Sequence, residues 1–415
     1  MTDRLALASP GRETDWLSDP VHRTYLRHYA ARQFSFFEAS CRPAGGFWTL
    51  DYEGQPLRDE PQELHTTTRL VHSYALGKQA GLVTSDAIID QGMAYLWSHH
   101  RDMAHGGYVW ALHGKDDIVD ARKLAYGHVF VLLAGASALE AGHPDARRLI
   151  DDVWAILDRH FWEEDAGLLC DEFNRDWTPF SSYRGMNANM HGVEALLAAY
   201  EATGDEQFLT RAGRILAFFI GRMAPAHGWR LPEHYTADWT VDPGYAGNPM
   251  FRPAGTTPGH SFELGRLLLQ YWDLAGRPDC DMQQSARRLI DRALIDAWDE
   301  KRGGFAYTLT FDGSVDNPNR YWWPVTEAIG AVATLLKLDP QPVDHAWYAR
   351  LWRFADGHLI DHARGGWYPE LAADDSLAMS QFKGKPDIYH SVQAALFPLV
   401  PGVSRMSSGL AAVAP

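Results

Sequence analysis

Six times in 415 residues the chain runs into a glycine, continues with a short aromatic or apolar stretch, and then turns through polar residues. The copies are Gly45-Gly46-Phe47-Trp48, Gly106-Gly107-Tyr108-Val109-Trp110, Gly167-Leu168-Leu169, Gly228-Trp229-Arg230-Leu231, Gly303-Gly304-Phe305-Ala306-Tyr307 and Gly365-Gly366-Trp367-Tyr368. Their last glycines, at 46, 107, 167, 228, 304 and 366, are spaced by 61, 60, 61, 76 and 62 residues. A unit of this size does not bury its apolar face alone, so the repeat commits the chain to stacking such units against one another.

Between motifs there is room for two helices, and the two differ in kind. Segments leading into a motif are one-faced. In 144–163, Ile150, Val153, Trp154, Leu157 and Phe161 share a face opposite Arg147, Arg148, Asp151, Asp158 and Arg159. Segments 205–224, 278–299 and 343–362 follow the same pattern. Segments after a motif, 124–141, 190–203, 261–275, 325–338 and 391–400, are apolar around most of the circumference, as helices covered on every side are. One-faced helices wrapped on all-round apolar ones predict an all-α (α/α)6 barrel. Six helix hairpins build it, with short β-hairpin-like loops at one mouth, and the whole of 1–415 forms a single domain. An open solenoid is the alternative, but it needs polar capping repeats, and none is evident. The end of the chain, about 403–415, reads as a flexible tail.

The formal charge of −15 argues against nucleic acid and anionic membrane as partners. No stretch approaches the ~20 apolar residues of a membrane span. The first residues lack an apolar leader, and Cys41, Cys170 and Cys280 are widely spaced without a metal-type pair. These features predict a cytoplasmic protein with free thiols, monomeric or homodimeric.

The stretch Gly255-Thr256-Thr257-Pro258-Gly259-His260-Ser261-Phe262-Glu263 places an imidazole and a carboxylate three residues apart, on one face of a helix entry. Burying both is costly unless they satisfy each other or serve chemistry. Polar residues interrupt the other inner helices at the same end: Arg69 in the first, Tyr126 and His128 in the second, Asn187 and His191 in the third, Trp323 and Glu327 in the fifth, Asp387 and His390 in the sixth. Six sets converging at one level of a barrel make a site. The positive helix ends there favour a ligand rich in oxygen or developing negative charge.

Plainer readings stand beside this one. Arg69 is then a buried ion-pair partner of Glu263 or Glu327, His191 a helix cap, Glu327 only an orienter of a histidine, and Trp323 a wall. His72 is read as core, and His28, His99, His100, His143, His160, His345, His358 and His362 as surface. A metal is set aside, because His260-x-x-Glu263 is half of a helical metal pair and a second His/Glu pair is read as missing. No phosphate loop, dinucleotide fingerprint or nucleophile elbow is present.

The motifs Thr-Pro-Gly-His260-Ser-Phe-Glu263, Tyr-Trp-Trp323-Pro-Val-Thr-Glu327-Ala and Gly-Lys-Pro-Asp-Ile-Tyr-His390 resemble the N-acylglucosamine 2-epimerase superfamily. Within it they are most similar to the bacterial aldose–ketose isomerases acting on mannose or sulfoquinovose, over nearly the whole chain. The resemblance implies the (α/α)6 barrel, a monosaccharide substrate, and chemistry without a metal or nucleotide cofactor. It implies two histidines facing the sugar, matched by His260 and His390. Arg69, His191, Glu263 and Glu327 match further residues of the family's site, and Tyr126 and Asn187 match more loosely.

Interconverting an aldose and a 2-ketose moves a proton between C2 and C1 through an enediol, which suits imidazole. Charge on the enediolate oxygens calls for Arg69 and the second histidine, and a carboxylate beside each histidine would fix its tautomer. The expectation is a D-mannose–D-fructose isomerase, acting also on related sugars such as lyxose. His390 carries the C2/C1 proton and His260 opens the ring, or the two roles are exchanged. Lys383 and Lys385, near His390, keep a sulfonated sugar open. The alternatives are a 2-epimerase with the same residues, a glycoside hydrolase or lyase using Glu263 and Glu327, and a non-catalytic sugar-binding protein. A hydrolase needs its two carboxylates roughly 5–9.5 Å apart across the bond.

Overall fold

The computed structural model describes residues 6–9, 15–113, 117–248, 250–385 and 388–414. In all six motifs the last glycine takes a positive φ, between +63° and +80°, a region that side chains disfavour. Each motif thereby turns the chain sharply out of one helix and into a short hairpin.

Among the described residues, twelve helices alternate between an outer and an inner ring. The outer ones are α1 (Pro20–Phe37), α3 (Ala87–Tyr95), α5 (Ala146–Ile156), α7 (Glu206–Leu216), α9 (Met282–Ala297) and α11 (Pro342–Phe354). The inner ones are α2 (Leu64–Gln79), α4 (Ala125–Glu140), α6 (Met186–Thr203), α8 (Pro258–Leu274), α10 (Trp322–Leu338) and α12 (Tyr389–Leu396). In α5, Leu149, Ile150 and Val153 are buried, whereas in α4 every residue from Gly127 to Ala138 is. At ~1.5–3 kcal/mol for each large apolar side chain withdrawn from water, the doubly covered inner ring carries much of the stability.

Inner helices begin earlier than the apolar pattern suggests, by four residues in α6, three in α8 and α10, and two in α12. The reason at α8 is Pro258, which at the first helical position starts a helix rather than stopping one. These extra residues place Asn187, His260, Trp323 and His390 in the first turn.

The hairpins stitch the ring together. The segment entering each inner helix pairs with the hairpin of the next repeat: Gln62 with Leu112, Lys123 with Phe173, Arg184 with Tyr235, Thr256 with Leu309, and Arg320 with Leu371. The sixth pairing, Lys385 with Leu50, joins the last repeat to the first. A closed toroid makes that contact and an open solenoid does not, so the fold is the (α/α)6 barrel.

Two expectations are corrected. The C-terminal segment contains helix α13 (Met406–Ala412), with Leu410 fully buried and Arg27 donating to the Val413 carbonyl. Its few apolar residues hid a segment tied down through polar contacts as well, Ser404 donating to Asp273 and the Arg405 N–H to Glu201. His100 is buried rather than on the surface, its Nδ1 hydrogen-bonded to the Val109 carbonyl, because the last turn of its outer helix tucks under the hairpin.

Candidate active site

All six inner helices point their N-termini at one mouth, and equivalent positions of the repeat form rings there. The second helical residues are His65, Tyr126, Asn187, Gly259, Trp323 and His390. One turn deeper, the sixth are Arg69, Phe130, His191, Glu263, Glu327 and Ala394. A third ring, one turn further, contains His72, Glu194, Arg266 and Gly330. A cavity of about 260 Å³ sits on the first two rings. It is lined by Arg69, Tyr126, Asn187, His191, His260, Glu263, Trp323 and His390 among others.

Gly259 is glycine because Trp323 occupies the space beside it. A Cβ there would lie 2.2 Å from the indole. The indole thus becomes the floor between the two histidines, its centroid 5.0 Å from His260 and 6.0 Å from His390.

Each of these imidazoles is held at Nδ1 by a buried carboxylate. His390 Nδ1 is 2.8 Å from Glu327 Oε1. His260 Nδ1 is 3.0 Å from both oxygens of Glu233, and the Thr257 N–H donates to the same carboxylate at 3.2 Å. His260 and Glu263 do not satisfy each other, as their shared helix face suggested. Glu263 lies one turn deeper, with Oε1 3.3 Å from His191 Nδ1. Neither Glu263 oxygen has a hydrogen-bond partner among the described residues. Burial, with the charges of Glu327 and Glu194 beside it, raises the Glu263 carboxyl well above the usual range. Burial also lowers His191 to about 4, against the pull of Glu194.

Arg69 donates from Nη2 to the Tyr126 hydroxyl at 2.8 Å and lies over the rings of Phe130 and Tyr389 at 4.5 and 4.7 Å. Neither Glu263 nor Glu327 is its ion-pair partner within 4 Å among the described contacts. That place at Glu327 belongs to Arg266, 3.5 Å away. Glu327 stands behind His390 rather than at the cavity surface. His128 is fully buried outside the cavity, accepting the Tyr108 N–H at Nε2 and bonded to the Leu124 carbonyl at Nδ1, so it holds a hairpin. His72 is core, bonded to Ser137. Asp387 lies outside the described residues. Of the two lysines near His390, Lys385 is buried on Asp361 at 2.8 Å, and Lys383 is exposed and paired with Glu60.

Sequence reading missed Glu233, Glu194, Arg266 and Tyr307. Glu233 and Tyr307 occupy one position of the repeat, two residues before the one paired to the helix entry, where the third repeat has Asp171. Among the described residues Asp171 hydrogen-bonds the Gly185 N–H at the entry of α6 and no histidine, whereas Glu233, longer by one methylene, caps α8 and also reaches His260. Aligning the repeats would have exposed it. His191-x-x-Glu194 is also the second helical His/Glu pair that seemed missing. The ligating atoms of His191, Glu194 and Glu263 lie within 4.8 Å of one another. Two guanidiniums, Arg266 and Arg69, already act on these carboxylates.

The model of the family described as N-acylglucosamine 2-epimerase (GlcNAc 2-epimerase) matches residues 45–394. The chain is 37% identical to a D-mannose isomerase of Thermobifida fusca over 407 residues, covering 96% of this chain and all of that one. It is 36% identical to a D-mannose isomerase of Pseudomonas cannabina pv. alisalensis, over 96% and 97% of the two chains. A solved D-mannose isomerase superposes with a TM-score of 0.84 at 31% identity, covering 94% of this chain and 99% of that one. The chain therefore belongs to the N-acylglucosamine 2-epimerase family, as a sugar isomerase.

Proposed function

We propose that this enzyme interconverts D-mannose and D-fructose, and related sugars such as lyxose, by proton transfer through a cis-enediol without a metal or nucleotide cofactor. The observation that carries the reading is the pair of imidazoles on one cavity, each with Nδ1 fixed by a buried carboxylate, which leaves Nε2 for the sugar. A volume of about 260 Å³ is below the ~300 Å³ at which pockets for larger ligands begin and suits one sugar ring. Relatives named D-mannose isomerase support the choice of sugar.

In this reading His260 serves O1 and the ring oxygen while the pyranose opens. His390 removes the C2 proton and returns it to C1 on the same face. Arg69, joined by the positive helix ends, stabilises the enediolate oxygens, and Glu263, its carboxyl pushed toward the neutral form by burial and the neighbouring carboxylates, is placed to donate a hydrogen bond. Trp323 is the platform for the ring, and Tyr126, Asn187 and His191 bind hydroxyls. Asn187 is suited to this, because its buried Oδ1 has no protein donor among the described residues.

The competing readings are less well served. A hydrolase using Glu263 and Glu327 would need both at the cavity, and Glu327 is behind His390. A sulfonate would need a free cation, and Lys385 is committed to Asp361 while Lys383, which lines the cavity, is paired with Glu60. A 2-epimerase would use the same residues, so the test is isotopic. [2-²H]Mannose should give fructose with part of the deuterium at C1 and the rest lost to water. Glucose as the main product, with negligible fructose, would make the enzyme an epimerase.

A further inference from the structure

Below the sugar cavity the barrel axis remains polar. A second, smaller cavity of about 60 Å³ lies there, lined by His72, Glu194, Arg266, Lys337 and Gln393 among others, with Met406 and Ser407 of the C-terminal segment on its wall. Arg266 lies between the two cavities, 3% exposed, its guanidinium 4.3 Å over the Phe397 ring. Three carboxylates face it: Glu263 from its own helix, Glu194 from α6 and Glu327 from α10. The Tyr389 hydroxyl faces it from α12 and donates to Glu194. His72 of α2 and Lys337 of α10 share its lower cavity, together with Glu140 and Glu201. The direct contact is with Glu327 Oε2, at 3.5 Å, while the other oxygen of Glu327 holds His390.

We infer that Arg266 is a positioning residue for the proton-transfer step: through Glu327 it fixes the orientation and basicity of His390 without touching the sugar. This rests on the reading of His390 as the C2/C1 proton carrier. A carboxylate shared with a guanidinium stays ionised and pulls less strongly on the imidazole proton, so His390 is free to take a proton from carbon. Because Arg266 is itself buried, bulk salt does not replace its guanidinium.

The test compares Arg266→Met, which keeps the stem and removes the charge, with Arg266→Lys, which keeps a charge. The ring signal of His390 is titrated by NMR in the sugar-free protein, and kcat and KM are measured across pH. Removing a cation favours the protonated form of every neighbour. In Arg266→Met the His390 titration and the acidic limb of kcat should therefore move up together by about one pH unit, with kcat at neutral pH down by about threefold to tenfold and KM within about threefold. Arg266→Lys should restore most of both. A fall in kcat with the titration and the limb unmoved overturns the inference, and so does an Arg266→Met enzyme that behaves like the parent.

Should Arg266→Met fail to fold, Arg266→Met/Glu327→Gln removes both buried charges. It should be no slower than Glu327→Gln alone, and a further tenfold loss overturns the inference. The sugar-free titration separates the two readings. A titration that moves in a protein whose parent converts no mannose upholds Arg266 and sinks the proposed reaction instead.

Discussion

The two imidazoles of the site are anchored by carboxylates that differ in origin and in company. Glu233 comes from a hairpin between repeats and serves His260 and a backbone N–H, with no guanidinium or ammonium within 4 Å among the described residues. Glu327 comes from the same inner helix as Trp323 and divides its charge between His390 and Arg266. An undivided carboxylate stabilises an imidazolium more than a shared one does. The Glu233 arm therefore suits a group that holds and donates a proton, and the Glu327 arm a group that accepts one. This asymmetry orders the proposed roles: His260 as ring-opening acid/base, His390 as carrier between C2 and C1.

The largest effects should come from the histidines themselves, and unequally. His390→Asn should lower kcat by about 10³–10⁴-fold, since nothing else takes the C2 proton. His260→Asn should cost about 10²-fold, because a sugar ring also opens slowly on its own. Rates measured with mannose and with an aldose that cannot close a pyranose ring separate the two steps. The acyclic substrate should recover most of the loss in His260→Asn and none in His390→Asn. If the recovery appears in His390→Asn instead, the roles are exchanged.

Next in size are the two anchors. Glu233→Gln and Glu327→Gln should each cost about 10–100-fold in kcat, the usual price of losing the group that orients a histidine. Their stabilities should differ more than their rates. Glu233→Gln leaves no buried cation unpaired and should cost ~1 kcal/mol. Glu327→Gln strands part of the Arg266 charge and should cost ~3 kcal/mol or more. Urea unfolding of both variants checks this, and equal stabilities would mean that Glu194 alone compensates Arg266.

Much of this asymmetry was hidden from a linear reading. The repeat, the two helix types and the residues of the first two rings follow from periodicity, because a helix position recurs every 60 residues or so at the same level of the barrel. Glu233 is different. Its chemistry depends on a hairpin crossing to the next helix entry, a pairing that hydrophobic pattern does not encode. Glu194 and Arg266 read as ordinary punctuation of apolar helices, since one charge per helix gives no sign that several meet on the axis. The 76-residue interval was visible, yet only the structure places its loop at the mouth, where Met250, Phe251 and Pro253 line the cavity.

The smallest expected effect is none, and it concerns the ground between the two arms. His191, Glu194 and Glu263 present three ligating atoms within 4.8 Å, in the dense arrangement that divalent ions favour. A bound ion there would link the two arms and could itself polarise the sugar oxygens. Charge opposes it. Glu194 and Glu327 already face the Arg266 guanidinium, and Glu263 is driven toward its neutral form. An added dication would have to displace the Glu263 proton and lie beside the buried Arg266 guanidinium. Activity should therefore be unchanged after dialysis against EDTA and after addition of Mn²⁺, Co²⁺ or Zn²⁺ at stoichiometric concentration, with metal content by mass spectrometry well below one per chain. Loss of activity on chelation, restored by one of these ions and abolished by Glu194→Gln, would replace the two-histidine mechanism with a metal-assisted one.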